Sequence, residues 1–118
     1  MIIGIGIDLV ELSVFEKKIE RPKFIQRYFS KSEQKLKLES LAGHFAAKEA
    51  LFKALDDQKL FQLKYVNVVS KPNRAPEFRF TGKLTEYSEK HSIKLSITHS
   101  KISVVAVVII ESKDSRKE

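Results

Sequence analysis

The stretch "LAGHFAAKEALFKAL", residues 41–55, restricts the fold more than any other part of the chain. Ala, Leu, Lys and Glu dominate it and proline is absent, so it reads as a helix. At about 100° per residue, Leu41, Phe45, Phe52 and Leu55 form one bulky stripe. The opposite side carries Gly43, Ala46, Ala47, Ala50 and Ala54, which is small rather than polar. A surface helix shows a wide charged face; here only His44, Lys48, Glu49 and Lys53 interrupt the apolar surface. The helix must be packed on most sides, and its few charges need a reason other than solubility.

A chain of 118 residues suits one domain, residues 1–118, with a modest core. Cysteine is absent, which excludes disulfides, thiolate metal sites and a cysteine nucleophile. The first residues are apolar but have no basic leader and meet Asp8 early, unlike a signal peptide. The run Val104–Ile110 is too short to span a bilayer. These features point to a cytoplasmic protein without a membrane partner. The formal charge of +7 calls for a polyanionic partner: nucleic acid, a phosphorylated small molecule or an acidic protein.

Residues 2–9 read as a buried strand and Pro22 opens a helix through Phe29. Ser30 with Glu33 fits a capping box that starts a helix over about 31–38. After the long helix come a strand over 63–70, a turn region over 71–76 and a short strand over 77–80. Thr81 is a candidate cap for a helix over 83–91. Ile93, Leu95 and Ile97 alternate, and 103–110 forms a last strand, joined to them across "THSK" as a hairpin. Residues 111–118 read as a charged, frayed tail. One strand, several helices and then ββαββ predicts an α+β domain, a small mixed or antiparallel sheet packed on the long helix.

In "GIGIDLVEL", alternation separates Ile3, Ile5 and Ile7 from Gly4, Gly6 and Asp8. The two glycines either leave a trough of exposed backbone leading to Asp8 or let a helix pack closely. They are not a dinucleotide fingerprint, since the third glycine would fall at Leu9. Glu49 and Lys53 are four residues apart, in the orientation that favours an ion pair. With small residues beside them they also suit a metal and phosphate site. Asp8 and Glu49 would be two oxygen ligands for Mg²⁺ if the first strand lies on the helix. Lys53 would then meet phosphate. His99 shares parity with Ile93, Leu95 and Ile97 and points to their face, whereas His44 and His91 read as partly exposed.

Together, "GIGIDLVEL", "LAGHFAAKEALFKAL" and "SITHS", in that order and at that spacing, resemble the holo-[acyl-carrier-protein] synthase family, the small single-domain phosphopantetheinyl transferases. The resemblance implies transfer of phosphopantetheine from coenzyme A to a serine of an acidic apo acyl carrier protein, releasing adenosine bisphosphate. It also implies Mg²⁺ and a homotrimer with active sites at subunit interfaces. On this footing Asp8 and Glu49 hold the metal, Lys53 contacts phosphate near the reaction centre, and Glu49 accepts the serine proton through water. Lys48, His99 and His44, the last standing where the family usually has arginine, fall to the coenzyme. Departures are Val14 in place of a basic residue, Asp56, Asp57 and Gln58 in place of a glycine loop, and Arg74–Pro76 before the short strand. Arg21, Lys23 and Arg27 form a basic segment for docking the acidic carrier. The alternatives are a non-enzymatic nucleic-acid-binding domain, or a degenerate transferase that only binds carrier.

Overall fold

The computed structural model describes residues 1–70, 72 and 75–113. The order is β1 (Ile2–Glu11), α1 (Leu12–Lys18), α2 (Pro22–Tyr28), α3 (Leu38–Ala54), β2 (Val66–Val69), β3 (Glu77–Phe80), α4 (Lys83–Lys90), β4 (His91–His99) and β5 (Ser103–Ser112). β1, β5 and β4 form an antiparallel sheet with β5 in the middle, and β2 pairs with β3 in a separate antiparallel hairpin. The α+β class and the single long helix are as the patterning predicts.

The long helix has no polar face because the rest of the chain covers it. Leu41, Ala42, Phe45, Ala46, Ala47, Ala50, Leu51 and Ala54 are all buried, and α3 lies across β1 and β5. The contact is close because both partners are small. A Cβ on Gly4 or Gly6 would collide with the carbonyl oxygens of Ala54 and Ala50. The glycines therefore admit the helix, and the alternative of an open backbone trough is overturned. Glycine is also required at Gly82, the cap of α4, where φ is +62° and a side chain would strike the Tyr65 ring.

The apolar surface that stays open lies on the far side of the sheet. Ile5, Ile7 and Leu9 are 61%, 59% and 61% exposed and stand opposite Ile109, Val107 and Val105 of β5. At the other end of α3, Phe15 of α1, Phe24 and Tyr28 of α2, and Phe29 form an aromatic cluster on Phe45. This cluster ties α1 and α2 to the long helix.

Several expected boundaries move. α1 replaces what the pattern left without an element, and Leu12 and Phe15 anchor it in the core. The capping box forms: the Ser30 N–H donates to Glu33 Oε1 at 2.9 Å and the Glu33 N–H to Ser30 Oγ at 3.3 Å. It opens only a single 3₁₀ turn, Glu33–Lys35, instead of a helix over 31–38, because α3 begins at Leu38. Residues 63–65 likewise form a 3₁₀ turn before β2. Gly82 rather than Thr81 caps α4, without a side-chain bond. Glu111 and Ser112 belong to β5 and are not frayed. The expectations for Lys71, Asn73, Arg74 and residues 114–118 fall outside the described residues.

Candidate active site

β1 alternation turns Asp8 to the same side as Gly4 and Gly6, toward α3, and the glycine contact brings that helix close enough to meet it. Lys53 Nζ donates to Asp8 Oδ1 at 2.9 Å and to the Ile7 carbonyl at 3.0 Å. The ion pair expected between Glu49 and Lys53 is thus replaced by one between elements. Glu49 is left without a hydrogen bond or ion pair among the described residues. Burial pushes its carboxyl above the usual range, and the Asp8 charge adds to that, against the opposing charges of Lys53 and Lys18. Asp8 and Glu49 open on one cleft of about 410 Å³, shared with Glu11, Val14, Phe15, Lys18 and Phe45.

Two carboxylates that raise each other's energy, one of them partly desolvated and unpartnered, form a site that a divalent cation would relieve. Both donors are hard oxygens. Among the described residues no group of three or more His, Cys, Asp or Glu side chains surrounds one point. Two carboxylates with the remaining positions left to water and substrate oxygens is the ordinary pattern for Mg²⁺. The residues present fit that ion.

His44 and Lys48 correct the expectations placed on them. His44 is only 4% exposed, not partly exposed. Its Nδ1 lies 2.9 Å from Glu33 Oε2, and its Nε2 is 3.4 Å from Ser70 Oγ. Lys48 is 1% exposed, and its ammonium donates to Glu33 Oε1 at 2.8 Å and to the Tyr28 carbonyl at 2.6 Å. It is an interior ion-pair partner whose ammonium is already engaged. Burial alone would push the Glu33 carboxyl up, but the bonds it accepts from His44, Lys48 and the Ser30 N–H, with the Lys48 charge, bring it down to about 2. Sequence reading found Glu33 only as a capping residue. Its tertiary role spans 11 and 15 positions of chain to His44 and Lys48, and no local pattern signals that.

His99 ends β4 on the face of Ile97, as its parity predicts, yet it is exposed. Together with Gly43, His44, Ser70 and Ile97 it lines a second cavity of about 440 Å³. The expected site residues therefore divide between two clefts: Asp8 and Glu49, with Lys53 bonded to Asp8, at one, and His44 and His99 at the other. Arg21, Lys23 and Arg27 are exposed at and along α2, and none forms an ion pair among the described residues. The Asp56–Asp57 turn is used internally. The Tyr87 O–H donates to Asp56 Oδ1 at 3.0 Å, and Asp57 Oδ1 accepts from the Lys59 N–H at 3.1 Å.

Residues 4–108 match the family model described as the 4'-phosphopantetheinyl transferase superfamily. A holo-[acyl-carrier-protein] synthase of Treponema denticola is 41% identical, over 94% of this chain and 99% of its own length. One of Oceanobacillus iheyensis is 36% identical, over 97% and 100%. A crystal structure of the Bacillus anthracis synthase in complex with CoA (3',5'-ADP) superposes with a TM-score of 0.78 at 35% identity, covering 96% of this chain and 99% of that one. The Helicobacter pylori synthase in complex with coenzyme A gives a TM-score of 0.77 at 34% identity, covering 91% and 99%. With the fold, the helix-on-strand carboxylate cleft and these relatives in agreement, the chain belongs to the 4'-phosphopantetheinyl transferase superfamily, among its holo-[acyl-carrier-protein] synthase enzymes.

Proposed function

We propose that this enzyme transfers 4'-phosphopantetheine from coenzyme A to a serine hydroxyl of an acidic apo acyl carrier protein, releasing adenosine 3',5'-bisphosphate. The observation that carries this reading is the meeting of Asp8 and Glu49 in one cleft, with Lys53 bonded to Asp8 beside it. The relatives crystallised with coenzyme A support the donor, and the names of the curated relatives support the acceptor.

In the reaction, the serine oxygen forms a bond to the phosphorus that carries the pantetheine arm, and the bond from that phosphorus to the bridging oxygen of the pyrophosphate breaks. Glu49, whose carboxyl is raised and unpartnered, takes the serine proton through a water. Lys53, half exposed and reaching across Asp8, offers its remaining N–H to the leaving phosphate and offsets the charge that develops there. Asp8 and Glu49 would hold Mg²⁺, which would supply charge neutralisation for the pyrophosphate. The cavity of His44 and His99 receives the nucleotide end of the coenzyme. The exposed face of Ile5, Ile7 and Leu9 is the surface of self-association. A homotrimer built on it would bring the cleft of one subunit to the cavity of the next.

Incubation with apo carrier, coenzyme A and Mg²⁺, followed by intact mass, tests the reading. The expected result is a carrier heavier by one phosphopantetheine. An unchanged carrier mass with folded protein overturns it. Light scattering should give three times the chain mass, and a stable, active monomer would remove the claim of shared sites.

A further inference from the structure

On another side of α3 from the carboxylate cleft, a cavity of about 290 Å³ opens between α2, residues 63–67 and Lys48. Its wall carries the cations Arg27, Lys48 and Lys64 and the amides Gln26 and Asn67, and no Asp or Glu. Lys48, 1% exposed, lies at its inner end, and the exposed Arg27 and Lys64 stand at its mouth. It shares no residue with the cleft of Asp8 and Glu49 or with the cavity of His44 and His99.

The donors on this wall are not used up. Lys48 donates to the Tyr28 carbonyl and to Glu33, which leaves the third N–H of its ammonium without an oxygen among the described residues. Burial works against the Lys48 charge. Arg27 and Lys64 rest on the rings of Tyr28 and Tyr65, at 5.8 and 5.2 Å, and neither has a hydrogen bond or ion pair among the described residues. Asn67 stands between the buried Val66 and Val68, so strand alternation turns it away from the core. The side chains of Asn67 and Gln26 also make no hydrogen bond among the described residues. The nearby carboxylate, Glu33, is not on the wall, and its oxygens are taken by the Ser30 N–H, His44 and Lys48. The cavity thus gathers positive charge and N–H donors and supplies no carboxylate to answer them.

We propose that this cavity is an anion site that takes one phosphate dianion, free or carried by a small phosphomonoester. Arg27 presents paired N–H groups that match two phosphate oxygens, Lys64 and Asn67 face it from the other wall, and Lys48 supplies its spare N–H from below. The bound anion ties α2 to residues 63–67 and to α3. α2 has seven residues and none of them is fully buried; it is held through Phe24 and Tyr28 on Phe45, and the anion adds a second hold. The site does not depend on the transferase reading.

The test is calorimetric titration of inorganic phosphate and, in a second arm, of glycerol 3-phosphate. The proteins are wild type, Lys64→Gln, the double variant Arg27→Gln with Lys64→Gln, and Lys83→Gln, which removes one exposed charge on α4 away from the cavity. Lys48 is left in place, because its loss would strand Glu33. Coenzyme A is saturating and Mg²⁺ is chelated throughout, so that phosphate contacts for the donor are already filled. Wild type and Lys83→Gln should bind alike, the double variant about ten-fold or more weakly, and Lys64→Gln in between. Tighter binding of inorganic phosphate identifies the free ion as the occupant, and tighter binding of glycerol 3-phosphate identifies a phosphomonoester. Amide NMR shifts on phosphate addition should gather at residues 26–30 and 63–67. The proposal is overturned if wild type binds neither anion or if the double variant keeps wild-type affinity. It is also overturned if Lys83→Gln loses as much as the double variant, which would make the effect one of net charge, or if the shifts gather instead at Asp8, Lys53, His44 and His99.

Discussion

One helix carries two ionic clusters that meet opposite requirements. Around Lys48 and His44 every charge is buried and answered: Glu33 accepts from both, and the Tyr28 carbonyl takes a further bond from Lys48. Around Glu49 and Lys53 the ledger is open, with two carboxylates, one engaged lysine, and a carboxyl raised by burial and by its neighbour. Lys48 and Glu49 are adjacent in sequence, but a turn of about 100° sends them to different sides of α3. The closed cluster fastens the segment of residues 28–33 to the helix. The open one keeps unspent electrostatic energy that a cation and a phosphate would relieve. The charge proposed for function stands out by what Glu49 lacks, a partner among the described residues, whereas Glu33, His44 and Lys48 are paired with one another.

The largest effect that would sharpen this contrast comes from the open cluster. Asp8→Asn or Glu49→Gln should lower phosphopantetheine transfer by roughly a thousand-fold or more; the melting temperature should be unchanged or raised in Glu49→Gln, which removes a like-charge contact, and little changed in Asp8→Asn, which also gives up the exposed pair with Lys53. Mg²⁺ added alone should raise the melting temperature of wild type and not that of the doubly substituted protein. Near-normal activity in either single variant breaks the assignment.

The closed cluster should behave in reverse. Glu33→Gln leaves the Lys48 charge buried without its counter-ion and should cost about 3–5 kcal/mol in chemical denaturation. Turnover per folded molecule, read under conditions where the variant is folded, should change little. A large loss of turnover with intact stability would merge the two clusters into one functional unit.

Acid should weaken the closed cluster only where Glu33 itself takes a proton. The Glu33 carboxyl sits at about 2 in the folded protein against 4.5 ordinarily. Its stabilising contribution is complete above pH 4.5, is lost as pH falls through 2, and is on the order of 3 kcal/mol. Urea unfolding at a series of acidic pH values should show this decline in wild type and a flatter profile in Glu33→Gln. Equal slopes in the two proteins would mean that Glu33 is not the group responsible.

The smallest effect belongs to Lys53→Ala. Its pair with Asp8 is half exposed, so stability should change by less than about 1 kcal/mol. Turnover should fall roughly ten- to a hundred-fold, more than coenzyme binding weakens. A variant that loses coenzyme affinity alone would make Lys53 a binding residue only.

Much of this was legible without coordinates. The central helix, the α+β class, the terminal hairpin and the pair Asp8 and Glu49 follow from periodicity, glycine placement and the chemistry of carboxylates, and the structure brings Asp8 and Glu49 to one cleft. α1 was hidden because its seven residues, Leu12–Lys18, are too short to show a helical repeat, and its stability comes from burying Leu12 and Phe15. His44 was misread because a lone histidine among alanines shows nothing of a carboxylate that approaches from Glu33.

The sequence by itself determined which residue types stand at each step of each element: small residues where α3 meets β1, apolar ones on alternate strand positions, and a carboxylate at the end of the glycine run. Those are local properties, set by backbone geometry and side-chain volume. Only the tertiary structure decided the partners. It gave Lys53 to Asp8 instead of Glu49, buried Lys48 and His44 on Glu33, placed His99 in a separate cavity, and left Lys18 over Phe45. Such pairings depend on distances between groups far apart along the chain and on how much water remains between them, and neither is encoded in any short window of residues.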